Sequence, residues 1–163
     1  MTIAAPEPLS DRHQTAEFAS GVASLDDWLK RRAAKNQAAD ASRTFVACEA
    51  AKVVGYYALA SGGVEAAAAP GRFRRNMPEP IPVVVLGRLA VNGDHKGQGL
   101  GRALFRDSAK RVLHAADSIG IRGILVHAIS EDAKAFYLAL GFEPSPLEPM
   151  TLMVTLADLR GAV

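Results

Sequence analysis

The sequence predicts an α/β fold: a mixed central sheet that contains a parallel strand pair and is flanked by helices. Three observations predict it. The middle of the chain reads strand, glycine-rich loop, helix, strand, helix, strand, and two strands joined through a helix are most simply parallel. Two apolar segments upstream, split by a short turn, read as an antiparallel hairpin, which makes the sheet mixed. The composition agrees: 163 residues, 49% hydrophobic and 22% charged, suit one globular domain over 1–163 with a sizeable core.

The first 15 or so residues read as extended or flexible. Ser24 reads as the N-cap of the first helix with Asp27 in the capping-box position, and Leu25, Trp28, Leu29, Arg32 and Ala33 follow at helical spacing. Thr44–Ala50 and Val53–Ala60 are the hairpin strands, turning at Ala51–Lys52, with Cys48 as a small core residue of the first. Pro70–Pro82 holds four prolines, which remove donors and fix φ, so it is expected to be an irregular, arginine-rich loop. Val83–Val91 is nearly continuous in apolar residues and reads as a strand buried on both faces. A helix from Leu100 to about Ser118 follows, with Gly120 as its stop. Gly123–Ile129 is the second buried strand, which makes His127 a core histidine. Ser130 caps the next helix, whose apolar face is Ala133, Phe136, Tyr137 and Leu140 and whose end is Gly141. A proline-broken turn then leads to a last strand, Thr151–Leu156.

Several function classes are excluded early. No apolar run reaches the ~18 residues of a membrane span, and the N-terminus lacks the pattern of a secretory leader. A single cysteine cannot form an internal disulfide, which points to a reducing, cytoplasmic setting. His13, His95, His114 and His127 lie too far apart for a zinc motif, so no metal is expected. The net charge of +2 hides an asymmetry: residues 72–111 carry nine basic side chains against three acids. A block this basic suits a polyanionic partner, or a solvated helix face.

The loop Lys96-Gly97-Gln98-Gly99-Leu100-Gly101 opens a helix. Alternating glycines let backbone approach a ligand, and a helix N-terminus offers unpaired N–H groups and partial positive charge, so together they suit phosphate. Lys96 and Arg102 add charge. The run lacks the lysine–hydroxyl pair of a P-loop and the spacing of a dinucleotide fingerprint. It resembles instead the acetyl-CoA signature of the GCN5-related N-acetyltransferases, with lysine where that family usually has Arg or Gln. Ala133–Phe142 (AKAFYLALGF) is similar to the same family's A-x-x-F-Y-x-x-x-G-F helix. The resemblance implies a GNAT-like sheet whose parallel pair forms the acetyl-CoA cleft. It implies cofactor contacts from Leu89, Ala90 and Val91 at the strand end, from Lys96, Gly97, Gln98, Gly99, Leu100, Gly101 and Arg102, and from Ala133 and Phe136.

A narrower resemblance covers about residues 18–156. Ser20-Gly21, Leu25–Leu29, Ser42–Val46, Arg74–Pro82, Leu86–Val91 and Phe142–Pro149 are similar to the bacterial toxins that acetylate charged tRNA. That likeness implies acetyl-CoA as donor, the α-amine of an aminoacyl-tRNA as acceptor and blocked translation as outcome. It further implies a small DNA-binding antitoxin of ribbon-helix-helix type and a homodimer.

The chemistry can be weighed separately. Acetyl transfer needs a neutral amine, stabilisation of the carbonyl oxygen by backbone N–H groups at the strand end, and a proton for the departing thiolate. Tyr137 can give that proton; helical spacing alone would equally make it a core tyrosine, and the resemblance selects the acid. Glu131 and Asp132 suit the helix dipole better than a base's role. A missing base favours an α-amine, with a reference pKa of about 7.7–8.0, over lysine near 10.4. Arg72, Arg74, Arg75 and Arg88 are the candidates for tRNA backbone contacts. A transferase acting on a small amine or a protein N-terminus, and a non-enzymatic CoA- or nucleic-acid-binding module, are the competing classes.

Overall fold

The fold is described from a computed structural model that covers residues 2–162. Seven strands hydrogen-bond in the order β1-β2-β3-β4-β5-β7-β6. They are β1 (Glu7–Pro8), β2 (Arg43–Glu49), β3 (Lys52–Val64), β4 (Ile81–Val91), β5 (Gly123–His127), β6 (Glu143–Pro144) and β7 (Thr151–Thr155). The helices are α1 (Ala23–Arg31), α2 (Ala33–Ala38), α3 (Gly71–Arg74), α4 (Leu100–Ala115), α5 (Glu131–Ala139) and α6 (Leu156–Ala162). The expected mixed sheet is present: β4 and β5 are parallel, from Val83↔Gly123 to Leu86↔Val126, and β2–β3 and β5–β7 are antiparallel. None of the described helices is long and apolar enough to cross a membrane.

The chain forms two compact units. One comprises residues up to Ala60 with Gly87–Ser108. Its core gathers Phe18, Leu25, Leu29, Val46, Cys48 and Tyr56. Tyr56 is fully buried between Phe18, edge-on at 5.6 Å, and Trp28, stacked at 6.0 Å. Burial raises the Cys48 thiol pKa, as befits a core residue. The N-terminal segment is tied down: β1 pairs with β2 through Glu7↔Val46. Glu7 also accepts from Arg12 and pairs with His13, each at 2.6 Å. Hydrogen bonding to His13 and the Arg12 charge lower the Glu7 pKa.

The first helix starts earlier than expected. Its N-cap is Val22, with no side-chain cap, and Ser24 lies inside the helix. The capping chemistry runs the other way: the Asp26 carboxylate reaches back to the Ser20 backbone N–H (3.0 Å) and hydroxyl (2.6 Å). The hairpin turns at Ala50–Ala51, where Ala50 takes φ 57°.

The other unit comprises Ser61–Leu86 and the chain from Ala109 onward. Its core gathers Phe73, Ile81, Val83, Leu125 and Met153. Gly123 has no room for a side chain: a Cβ there would lie 1.9 Å from the Val154 carbonyl oxygen. The proline-rich segment is not wholly irregular. Gly71–Arg74 is a short helix, Arg74 N–H donating to the Pro70 carbonyl at 3.0 Å, and β4 already begins at Ile81. His127 is a second correction. It ends β5 exposed rather than buried, with Nδ1 3.0 Å from the Thr151 hydroxyl. Ser130 caps α5 as expected, accepting from Ala133 N–H at 3.1 Å, and Gly141 (φ 98°) follows its end.

Candidate active site

Beyond Val91 the chain is pinned before it reaches the glycines. Asn92 accepts from Ala19 N–H through Oδ1 (2.9 Å) and donates its own N–H to Val54 (2.8 Å), while Gly93 N–H donates to Ala19 (2.8 Å). A 3₁₀ turn over Gly93–His95 then leads to an exposed loop. Gly97 (φ 78°) and Gly99 (φ 83°) occupy the left-handed region, where a side chain would be strained. Neither would clash with a neighbour, so the requirement is conformational and not steric. The first α-helical bond is Ala103 N–H to Gly99 O. The N–H groups of Leu100, Gly101 and Arg102 therefore face away from any helical acceptor, at the positive end of a 16-residue helix. Such a cradle takes an anion, and a pyrophosphate fits its chemistry.

The side chains flanking this cradle differ in what they do. Arg102 is exposed in the first turn and bonds no described residue. Lys96 was expected on phosphate, yet its ammonium donates to the Ser20 carbonyl, the residue that Asp26 also holds. Lys96 thus ties the loop to the start of α1. The seat of α4 is set by close approach: a Cβ on Gly55 would sit 2.9 Å from Leu104. The Tyr57 hydroxyl donates to the Asp107 carboxylate from β3 to α4. Leu89, Ala90 and Val91 form the last residues of β4, with Ala90 buried.

In the other unit, α5 presents Tyr137 from a buried position, at 8% exposure. Its ring lies between Phe136 (5.2 Å, interplanar 77°) and Phe142 (5.3 Å, 60°), both edge-on. Burial among these rings pushes its pKa up to about 12. Its hydroxyl bonds no described residue, and its oxygen is not fully buried, so it reaches solvent at the edge of an otherwise buried ring. Tyr56 and Tyr57, by contrast, both spend theirs inside the protein. A protonated hydroxyl that reaches solvent from a ring fixed by burial, with no protein partner, is equipped to donate to a ligand. Ala133 and Phe136 are half-buried on the same helix; Glu131 and Asp132 are exposed in its first turn.

The acetyltransferase (GNAT) domain model matches residues 40–144. The chain is 51% identical over 159 residues to the tRNA-acetylating toxin of Mycobacterium tuberculosis (strain ATCC 25618 / H37Rv), covering 98% of this chain and 96% of that one. Among solved structures, AtaT complexed with acetyl-methionyl-tRNAfMet superposes with a TM-score of 0.89 at 28% identity, over 98% of both chains. A tyrosine-to-phenylalanine mutant of the AtaT toxin, bound to the C-terminus of the antitoxin AtaR and acetyl-CoA, gives 0.84 at 26%, over 98% and 97%. The chain belongs to the GNAT acetyltransferase family.

As a GNAT enzyme it draws its acetyl group from acetyl-CoA. Within this GNAT chain the four candidate arginines fall into different environments. Arg74 and Arg75 are exposed and bond no described residue. Arg72 is exposed but paired with Asp158 at 2.8 Å. Arg88 packs its guanidinium 5.2 Å over Trp28 and donates to the Gly87 carbonyl at 3.0 Å. Sequence reasoning missed the residues that organise these groups. Arg122 donates Nε to Phe73 O and Nη2 to Arg72 O, both at 2.8 Å, closing the end of α3. The only signal for it was a lone arginine just before a buried strand, far along the chain from the segment it holds.

Proposed function

We propose that this acetyltransferase acts on the α-amino group of aminoacyl-tRNA and, as the toxin of a toxin–antitoxin pair, blocks translation. The observation that carries the reading is Tyr137, a phenol whose ring is buried and whose protonated hydroxyl has no protein partner. The amine nitrogen attacks the thioester carbonyl, the C–S bond breaks, and the Tyr137 hydroxyl passes its proton to the departing thiolate. Solvent takes the proton lost by the amine and restores that of the phenol. Backbone N–H groups of Leu89, Ala90 and Val91 stabilise the carbonyl oxygen as charge develops on it. The Gly97–Gly101 loop and the first turn of α4, with Arg102, hold the pyrophosphate. Lys96 keeps that loop in place, and Ala133 and Phe136 border the acetyl donor.

The acceptor follows from two supports. One is the likeness to the tRNA-acetylating toxin over nearly the whole chain. The other is the exposed pair Arg74 and Arg75, joined in this reading by Arg72 and Arg88, which suits phosphodiester contacts. Glu131 and Asp132, spent at a helix N-terminus, make poor bases, and an α-amine is already partly neutral near pH 7. The same reading places the enzyme in the cytoplasm, as a homodimer, partnered by a small DNA-binding antitoxin of ribbon-helix-helix type. The test is incubation with acetyl-CoA and total charged tRNA, followed by mass spectrometry of the aminoacyl-adenosine ends. An acetyl increment on one or more of them is expected. Its absence from all of them, with acetylation of a free amine or a peptide N-terminus instead, overturns the acceptor.

A further inference from the structure

A groove of about 440 Å³ opens beside α3 in the second unit, lined by Arg72, Arg75, Asn76 and Arg122 and, from β7 and α6, by Thr155 and Ala157. Three of these are arginines and none is an acid. Arg122 is held by neutral carbonyls alone, those of Arg72 and Phe73, and lies 6.0 Å over the Phe73 ring. Its charge is therefore uncompensated while its rotamer is fixed, and Nη1 bonds no described residue. A guanidinium ordered in advance gives up little freedom when it meets an anion. Arg75, which also lines the groove, is exposed with no partner among the described residues. Only Arg72 is neutralised, by Asp158 in the first turn of α6, and that pair is exposed: 59% of the Arg72 side chain and 36% of the Asp158 side chain remain open to solvent. An ion pair so exposed is weak and gives way to a stronger anion.

We propose that this groove takes one backbone phosphate of the tRNA, with Arg75 and Arg122 as its cationic wall, and that Asp158 is the carboxylate that this phosphate replaces on Arg72. The proposal rests on the tRNA reading above and deepens it. Phosphate contacts carry no base information, so the groove sets register and affinity without selecting a tRNA. Asp158 weakens binding on purpose of release: it reclaims Arg72 when the product leaves.

The test is tRNA binding by the full chain, followed by fluorescence anisotropy across a salt series. Asp158→Asn is expected to tighten binding about two- to fivefold and to steepen the salt dependence by about one phosphate contact. The backbone N–H of residue 158 still reaches the Thr155 hydroxyl (3.2 Å) in that variant, so α6 keeps its start. Arg122→Gln is expected to weaken binding about tenfold and flatten the slope, and Arg122→Lys to recover the slope but not the affinity. Asp117→Asn removes an exposed acid whose carboxylate bonds no described residue and should change neither. If Asp158→Asn matches wild type or only matches Asp117→Asn, the proposal fails. It fails also if duplex DNA of equal length shows the same affinity and the same response to Asp158→Asn. Acetylation of charged tRNA by the wild type, run in parallel, separates the two claims. Its loss with the Asp158 response intact removes the acceptor and leaves the groove, and the converse removes the groove alone.

Discussion

The two compact units treat the same side chain in opposite ways. In the unit that carries the glycine loop, both tyrosines are structural: Tyr56 donates to the Leu25 carbonyl at 2.6 Å, and Tyr57 donates to Asp107. In the unit that carries α5, Tyr137 is almost as buried and donates to nothing described. The first two hydroxyls are bonded inside the protein, whereas the Tyr137 oxygen, on a ring otherwise buried, still reaches solvent. A phenol fixed by its ring with its hydroxyl open to solvent is free to donate to a ligand, which the other two are not. Among the cations the contrast is between individual side chains and not between units, since Arg102 in the first unit also bonds no described residue and Arg72 and Arg122 in the second are partnered. Lys96 in the first unit is spent on the Ser20 carbonyl, whereas Arg74 and Arg75 in the second remain uncommitted.

The sharpest way to break this comparison is kinetic. Tyr137→Phe should lower kcat about a hundredfold to a thousandfold, the usual worth of a positioned acid, with KM for acetyl-CoA near that of the wild type. Steady-state release of the free thiol measures it. A variant that keeps its rate would make Tyr137 a core residue like the other two. Stability then sharpens the contrast from the other side. Tyr56→Phe removes the buried hydrogen bond to the Leu25 carbonyl and should cost about 1–1.5 kcal/mol in urea unfolding. Tyr137→Phe removes no hydrogen bond and should stay within about 0.5 kcal/mol of the wild type. Equal losses in the two variants would show that the Tyr137 hydroxyl is satisfied after all.

What the sequence revealed of this site depended on how local the causes were. Ser130 was legible as an N-cap because its oxygen and its acceptor lie three residues apart. The glycines were legible because the strain they relieve is their own. Ser24 misled because Asp26, two residues on, turns back to Ser20 and lets the helix begin at Ala23. The strand β3 outran its expected end at Ala60 because Ser61-Gly62-Gly63 looks like a turn. In the structure a Cβ on Gly62 would lie 2.8 Å from Val85 and one on Gly63 would lie 3.2 Å from Pro80, so these glycines serve close strand packing. The helix α3 was hidden among prolines, because what closes it is Arg122, about 50 positions downstream. Asp158 and α6 were hidden for the same reason: a short helix with Gly161 in its last turn has no periodic signal, and its start rests on the Thr155 hydroxyl. His127 was misplaced because an apolar run does not announce which of its residues is the last in the sheet.

The smallest effect discriminates by its pH dependence. A tyrosine has a reference pKa of about 10 in an unfolded chain, and burial holds Tyr137 at about 12 in the fold. Below pH 10 both states are protonated and the group adds no pH dependence. Between 10 and 12 the unfolded chain loses a proton that the native one keeps, so stability falls as pH rises through this window. At pH 11 the loss from Tyr137 is about 1 kcal/mol. Tyr137→Phe should therefore match the wild type at pH 8 and exceed it by about that amount at pH 11 in urea unfolding. Burial raises the Tyr56 pKa as well, with Arg88 lowering it and Asp26 raising it, and burial also raises that of the Cys48 thiol. Both groups are common to wild type and variant, so they cancel in the difference. Identical pH curves for the two proteins would mean that the Tyr137 ring is open to water, and the argument from a phenol kept protonated by burial would go with it.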